Sequence, residues 1–169
     1  WEGNIPWLSG GDITNNHQSF VTWTEKSITK EGLENSSAKL LPRFSTVISA
    51  RGTVGKLCLL SKPMAYSQSN YGITPKDTKS FFFAYLMTQH AIRRLKASSY
   101  GSVFDTITTA NFKDISYPMP SPREILTFDT SIAPLFMKRL SNTYQLDTLT
   151  RLRDLLLPKL MSGAIRVEG

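Results

Sequence analysis

From Arg123 to Leu157 the chain contains no glycine and a single proline, Pro134, which leaves helix as the natural conformation of that stretch. The residues that lead into it, Ser121-Pro122-Arg123-Glu124, are a helix start: Ser as N-cap, Pro in the first turn, and Glu placed to close a capping box. Positions 125, 128, 132, 135, 139, 142, 146, 149, 153 and 156 follow a heptad pattern and are apolar at seven of ten, the exceptions being Arg139, Asn142 and Arg153. Such a seam, with a polar Asn in mid-course, predicts pairing with another helix through Ile132, Leu135, Asn142, Leu146, Leu149 and Leu156. The alternative is a helix lying flat on its own domain. The stretch Pro122 to Leu157 would extend ~54 Å if helical throughout. Pro134 is expected to kink or split it.

Upstream, short strand-like runs alternate with turn signals. Thr46-Val47-Ile48-Ser49-Ala50 and Lys56-Leu57-Cys58-Leu59-Leu60 flank Arg51-Gly52-Thr53-Val54-Gly55, a pattern that predicts a β-hairpin. Gly10-Gly11-Asp12 reads as a turn, and Ser27 to Lys39 as a short helix weakened by Gly32. Ser80 to Ala97 predicts a solid helix, with Phe81, Tyr85, Thr88, Ile92 and Leu95 on one face. Arg93, Arg94 and Lys96 crowd its last turns, where they suit the helix dipole as well as they suit a polyanion. Composition changes at Tyr117-Pro118-Met119-Pro120. The fold expected is therefore α+β: a mixed small-sheet domain over 1–120, followed by a coiled-coil-like helical arm and tail over 121–169.

Hydrophobic residues make up 40% of the 169 residues and charged residues 20%, which excludes a disordered or membrane-spanning chain. The one cysteine, Cys58, allows no internal disulfide and suits a reducing, cytoplasmic setting. The chain opens at Trp1 without methionine, as a piece of a longer protein would. Its charge of +7 is uneven: residues 1–50 carry −1, residues 51–120 carry +6, and residues 121–169 carry +2. A concentrated positive field attracts polyanions, of which nucleic acid is the commonest in a cytosol.

Catalytic signatures are missing from the sequence. Gly52-Thr53-Val54-Gly55-Lys56 has two residues between its glycines where a P-loop needs four, and Leu57 follows the lysine in place of Ser or Thr. Asp77-Thr78-Lys79 resembles half of a metal-dependent nuclease site, yet no Asp or Glu occurs between Glu34 and Asp77 to supply the second carboxylate. His17 and His90 with one cysteine make no zinc set. No Gly-x-Ser-x-Gly elbow, glycine-rich cofactor loop, or Asn/Asp-Pro-Pro-aromatic tetrapeptide occurs. The expectation is a non-catalytic chain without a metal.

Several segments together carry a resemblance. They are Trp1-Glu2-Gly3-Asn4-Ile5-Pro6-Trp7 with Gly11-Asp12-Ile13; Ile48 through Lys56; Gln68 with Asn70 to Pro75; Gly101-Ser102 with Ile107; and Leu152-Arg153-Asp154-Leu155-Leu156-Leu157-Pro158-Lys159-Leu160-Met161-Ser162-Gly163 with Ile165. In this order the chain resembles the specificity subunits of type I restriction–modification systems, over almost its whole length. Gln145 and Ala164 stand where acidic residues are more usual. The resemblance implies a DNA target recognition domain that reads one half of a bipartite double-stranded target and has no active site of its own. It implies docking to methyltransferase subunits, which would hold S-adenosylmethionine, and to a translocating restriction subunit. Family members usually carry two recognition domains, each followed by a long helix. One of each is present here, so the partner would be a second recognition half or a second copy, joined through the helical arm.

Within that reading, residue chemistry suggests roles. Arg51 and Lys56 bracket a tight loop and suit phosphate contacts. Gln68 and Asn70 have amides that can bond adenine, while Ser67, Tyr71, Ser98, Ser99, Tyr100 and Ser102 suit loops facing a groove. Turn bonds or plain hydration are the competing roles for each. The rival class is a protein–protein adaptor whose arm is the whole function, and a third is a degraded nuclease built around Asp77.

Overall fold

The computed structural model describes residues 1–77, 79–98, 106–113 and 115–166. Its elements run β1 (Ile5–Leu8), α1 (Gly10–Asn15), β2 (Phe20–Val21), β3 (Lys26–Ile28), α2 (Lys30–Glu34), β4 (Lys39–Leu41), β5 (Thr46–Ser49) and β6 (Leu57–Leu60). β7 (Met64–Tyr66), β8 (Asn70–Ile73), α3 (Phe81–Ser98), α4 (Thr109–Lys113) and α5 (Pro122–Met161) complete the order.

The strands form two four-stranded mixed sheets, ordered β3-β1-β7-β4 and β2-β6-β5-β8. Side-chain alternation explains how the second sheet is used. Val21, Val47, Cys58 and Leu60 point to one face, where they meet Leu8 of β1, Ile13 of α1 and Met64 of β7. Phe20, Ile48, Leu57 and Leu59 point to the other, against Phe82, Tyr85, Ile92 and Leu95 of α3 and Leu140 of α5. The second sheet is thus a middle layer, and β5 and β6 are buried at every position. Burial also holds the Cys58 thiol protonated.

α5 serves two environments. Asp129 and Leu140 are buried, and Ile132, Ala133 and Phe136 pack on the core. These positions step at the 3.6 period of a straight helix. The Phe136 ring stacks on Phe82 at 4.4 Å between centroids. The Thr22 hydroxyl donates to the Asp147 carboxylate, and Arg139 donates to the Gln18 carbonyl. From Thr148 to Arg166 every residue is exposed.

Four local expectations need correction. Gly10-Gly11-Asp12 is the first turn of α1, because Ser9 and Asp12 form a capping box around it. The helix expected over 27–39 shrinks to α2: Ile28 is drawn into β3 opposite Ile5, and Thr29 caps only the short helix beyond it. Pro134 does not split α5, and the helix runs on through Pro158 to Met161, which makes it ~60 Å long. Ile132, assigned from the heptad to helix pairing, packs against its own domain instead.

Candidate nucleic-acid interface

Strand register gathers several loops at one end of the middle sheet. β5 pairs antiparallel with β6 and β8, Ile48 opposite Leu57 and Ser49 opposite Asn70, so the loop after β5 and the turn before β8 emerge together. The parallel pairing of β2 with β6 brings the segment entering β2 to the same end. There the Gln18 N–H donates to the Leu57 carbonyl at 2.7 Å, and the Leu57 N–H donates to His17 Nδ1 at 3.3 Å. The last turns of α3 arrive as well, with Lys96 lying across Gly55.

The hairpin loop is tied down at several points. Gly52 and Gly55 have φ of 74° and 75°, conformations that residues with a Cβ rarely adopt. The Ser49 hydroxyl donates to the Thr53 carbonyl and accepts from the Lys56 N–H at 3.3 Å. The Thr53 and Thr14 hydroxyls are 2.6 Å apart, joining the loop to α1. Arg51 is exposed beside Thr106, with which it forms an antiparallel bridge.

The described charges on these loops are cationic. Arg51 and Lys56 flank the hairpin loop, Lys96 crosses it, and Lys39 lies beside the turn before β8. Among the described residues the ion pairs are Lys30–Glu34 and Arg153–Asp154, so no loop cation meets a carboxylate there. Burial and the neighbouring Lys56 both push the Lys96 ammonium below its ordinary value, and the same two causes lower His17.

The sequence-predicted contact residues fare unequally. Arg51 and Lys56 sit together on the hairpin loop. Gln68 is exposed at the turn, and Ser67 is bonded to Ser69 through hydroxyls 2.6 Å apart. Ser67 and Gln68, with Ser37, Lys39, Tyr66, Asn70 and Tyr71, line a groove of about 210 Å³. Asn70, however, is only 6% exposed and its amide donates to the Ser67 hydroxyl, so it braces the turn from beneath. Tyr71 is likewise a packing residue, its ring edge-on to Phe112 at 6.3 Å. Ser98 ends α3, whereas Ser99, Tyr100 and Ser102 lie outside the described residues.

Along the arm, Leu135, Leu146, Leu149 and Leu156 are 72%, 64%, 61% and 41% exposed, and Asn142 is exposed beside them. Asp77, the residue behind the nuclease alternative, is occupied by its own turn: it accepts from the Lys79 and Ser80 N–H groups and the Ser80 hydroxyl. These bonds hold its carboxyl below the usual range. Among the described residues no group of three or more His, Cys, Asp or Glu is placed to hold a metal ion. Among them, too, no helix is long and apolar enough to cross a membrane. Sequence reasoning missed His17, Lys39 and Lys96 as members of this surface. Lys96 had a signal, the cationic end of α3, whereas His17 had none within its own segment.

A family profile described as type I restriction modification DNA specificity domain matches residues 1–155. The chain is 33% identical over 165 residues to the type I restriction enzyme HindI specificity subunit of Haemophilus influenzae, covering 96% of this chain and 36% of that protein. It is 26% identical over 126 residues to the MjaIX specificity subunit of Methanocaldococcus jannaschii, covering 73% and 29% respectively. The chain thus spans about a third of the length of these relatives. A chain from a solved structure concerned with complex assembly and conformational transition of the type I R-M system superposes with a TM-score of 0.51. That match has 17% identity and covers 93% of this chain and 38% of the other, a likeness of fold.

Proposed function

The chain belongs to the type I restriction–modification DNA specificity family, and from that premise we propose that it reads one half of a bipartite duplex target without catalysing a reaction itself. The observation that carries the reading is the basic pole of the middle sheet, where a glycine-bracketed loop, an amide-bearing turn and the end of α3 converge and where, among the described residues, no loop cation is paired with a carboxylate. Arg51 and Lys56 contact phosphate and fix the protein on the duplex, and Gln68 reads a base edge. Residues 1–120 supply this surface, and 121–169 supply the arm.

The arm joins the domain to a second recognition half or a second copy, and to methyltransferase and restriction subunits. S-adenosylmethionine belongs to the methyltransferase. Exposed Leu146, Leu149, Leu152 and Leu156 support this role, as does an apolar groove of about 630 Å³ that runs beside α5 between Arg43 and Leu149. A protein restricted to adaptor work would need the arm but not the basic pole.

Titration of the full chain with random duplex tests the reading. Affinity should fall between about 50 and 200 mM salt with a log–log slope near −0.9 for each phosphate contacted. Absence of binding at both salt levels favours the adaptor.

A further inference from the structure

We propose that His17, Lys56 and Lys96 form one phosphodiester-binding site across Gly55, in which the two ammoniums supply charge and His17 supplies a neutral N–H donor. The proposal rests on the DNA-reading assignment above and deepens it.

Three separate elements deliver these side chains to one place. Lys96 comes from α3, and its path is set by Gly55: a methyl group there would lie 2.8 Å from Lys96 Cε and 3.2 Å from its Nζ. Glycine therefore serves twice at this position, for its φ and for the passage of the lysine. Lys56 closes the same loop, held by its N–H bond to the Ser49 hydroxyl. His17 leaves α1 with its ring fixed, because Nδ1 accepts from the Leu57 N–H. A ring that accepts at Nδ1 carries its proton at Nε2, so it offers a donor while remaining neutral.

The surroundings favour an anion. Charged groups near the ring are Lys56 from the hairpin, Lys96 from α3 and Arg139 of α5, which is bonded to the next residue's carbonyl; Asp12 sits in the first turn of α1, the helix that precedes His17. Asp12 is engaged elsewhere, accepting from the Ser9 N–H and hydroxyl. Both Lys96 and His17 bind protons less readily than usual, first through burial and then because like charges held side by side repel. A phosphodiester relieves the repulsion: its single negative charge lies between the ammoniums, and its unesterified oxygens accept from Nζ and Nε2.

Salt dependence separates the two kinds of contact, since only a cation releases counterions from the duplex. With the full chain and a short random duplex, Lys56→Gln and Lys96→Gln should each weaken binding and flatten the log–log slope by about 0.9. His17→Ala should weaken binding roughly tenfold with the slope unchanged, as expected for one lost bond to a charged group. His17→Gln, which can accept from Leu57 and still donate, should restore part of the loss.

A second readout uses the unmodified protein: the His17 ring nitrogen signals should shift on adding duplex while Nδ1 keeps its unprotonated signature. Wild-type binding with unmoved ring signals would overturn the site. So would folded lysine variants that keep the wild-type slope, or a His17→Ala variant that flattens it. Failure of the wild type to bind any duplex strikes instead at the DNA-reading assignment itself.

Discussion

The carboxylate of Asp129, eight residues into α5, accepts a hydrogen bond from the backbone N–H of Phe83 at 2.7 Å and so closes the first turn of α3. At 5% exposed, Asp129 places an acceptor where the orphan N–H groups and the positive end of the helix dipole both call for one. The arm thereby fixes the helix that carries Lys96.

Asp129→Ala should destabilise the protein by about 1–3 kcal/mol, because the Phe83 N–H is left buried without an acceptor. Asp129→Asn keeps an acceptor oxygen and should cost less. Burial raises the Asp129 carboxyl above its ordinary 3.8, against the lowering effect of the N–H bonds. A raised carboxyl favours folding most below that ordinary value, and this contribution is lost as pH rises through the folded-state value. The Asn variant should therefore gain on wild type between acid and neutral pH, as measured by urea unfolding at each.

The two loop glycines should differ. Gly52→Ala meets no atom within 4 Å and incurs only the left-handed backbone penalty, about 1–2 kcal/mol. Gly55→Ala carries the same penalty, and its methyl group also lies 3.1 Å from Ile92 Cγ2 and against Lys96. Denaturant midpoints should rank wild type above Gly52→Ala, and Gly52→Ala above Gly55→Ala. An inverted order would mean that Lys96 does not cross the loop.

Self-association through the arm is open to light scattering. Burying each exposed leucine contributes roughly 1.5–3 kcal/mol, so wild type should dimerise and Leu149→Asp with Leu156→Asp should return it to monomer. A wild-type monomer at high concentration, with no partner added, rules out self-pairing.

Acidification should fray the start of α5. The Ser121 hydroxyl, and then the Ser121 N–H, hold the Glu124 carboxyl below its ordinary 4.5. A depressed carboxyl supports the fold above its ordinary value and loses that support as pH falls through the folded-state value. Helical circular dichroism of wild type should drop in that range, and Glu124→Gln should show a smaller pH-dependent drop. Equal profiles would assign the loss to other groups.

Local signals were readable, and relations between distant segments were not. The β5–β6 hairpin, α3 and the Ser121–Glu124 capping box all declare themselves within a few residues, and each is present. The α1 capping box was equally local, as Ser9-Gly10-Gly11-Asp12, but two glycines disguised it as a turn. Ile132 illustrates a different difficulty. A heptad repeat advances by 3.5 residues and a straight helix by 3.6, so a seam read in heptads drifts about 20° per repeat across the real face. Ile132 consequently belongs to the core, while Leu135 is 72% exposed. Asn70 and Tyr71 look like groove residues by type, yet strand pairing turns both into supports. The His17–Lys56–Lys96 grouping joins positions far apart in the chain, and only the register of β2 on β6 and the passage over Gly55 bring them together.

The seating of Phe136 and Leu140 against Phe82 and Tyr85 bears on how such chains can be recombined. A chimera spliced at the composition change near Pro120 would lay a foreign helix over this core and would have to match it ring for ring. Spliced after Asp147, beyond the bond to Thr22, the graft carries its own lid and leaves to its host only side chains already facing outward. If the domain reads DNA as proposed, the unit to transplant is therefore residues 1–147, with the junction inside an uninterrupted helix.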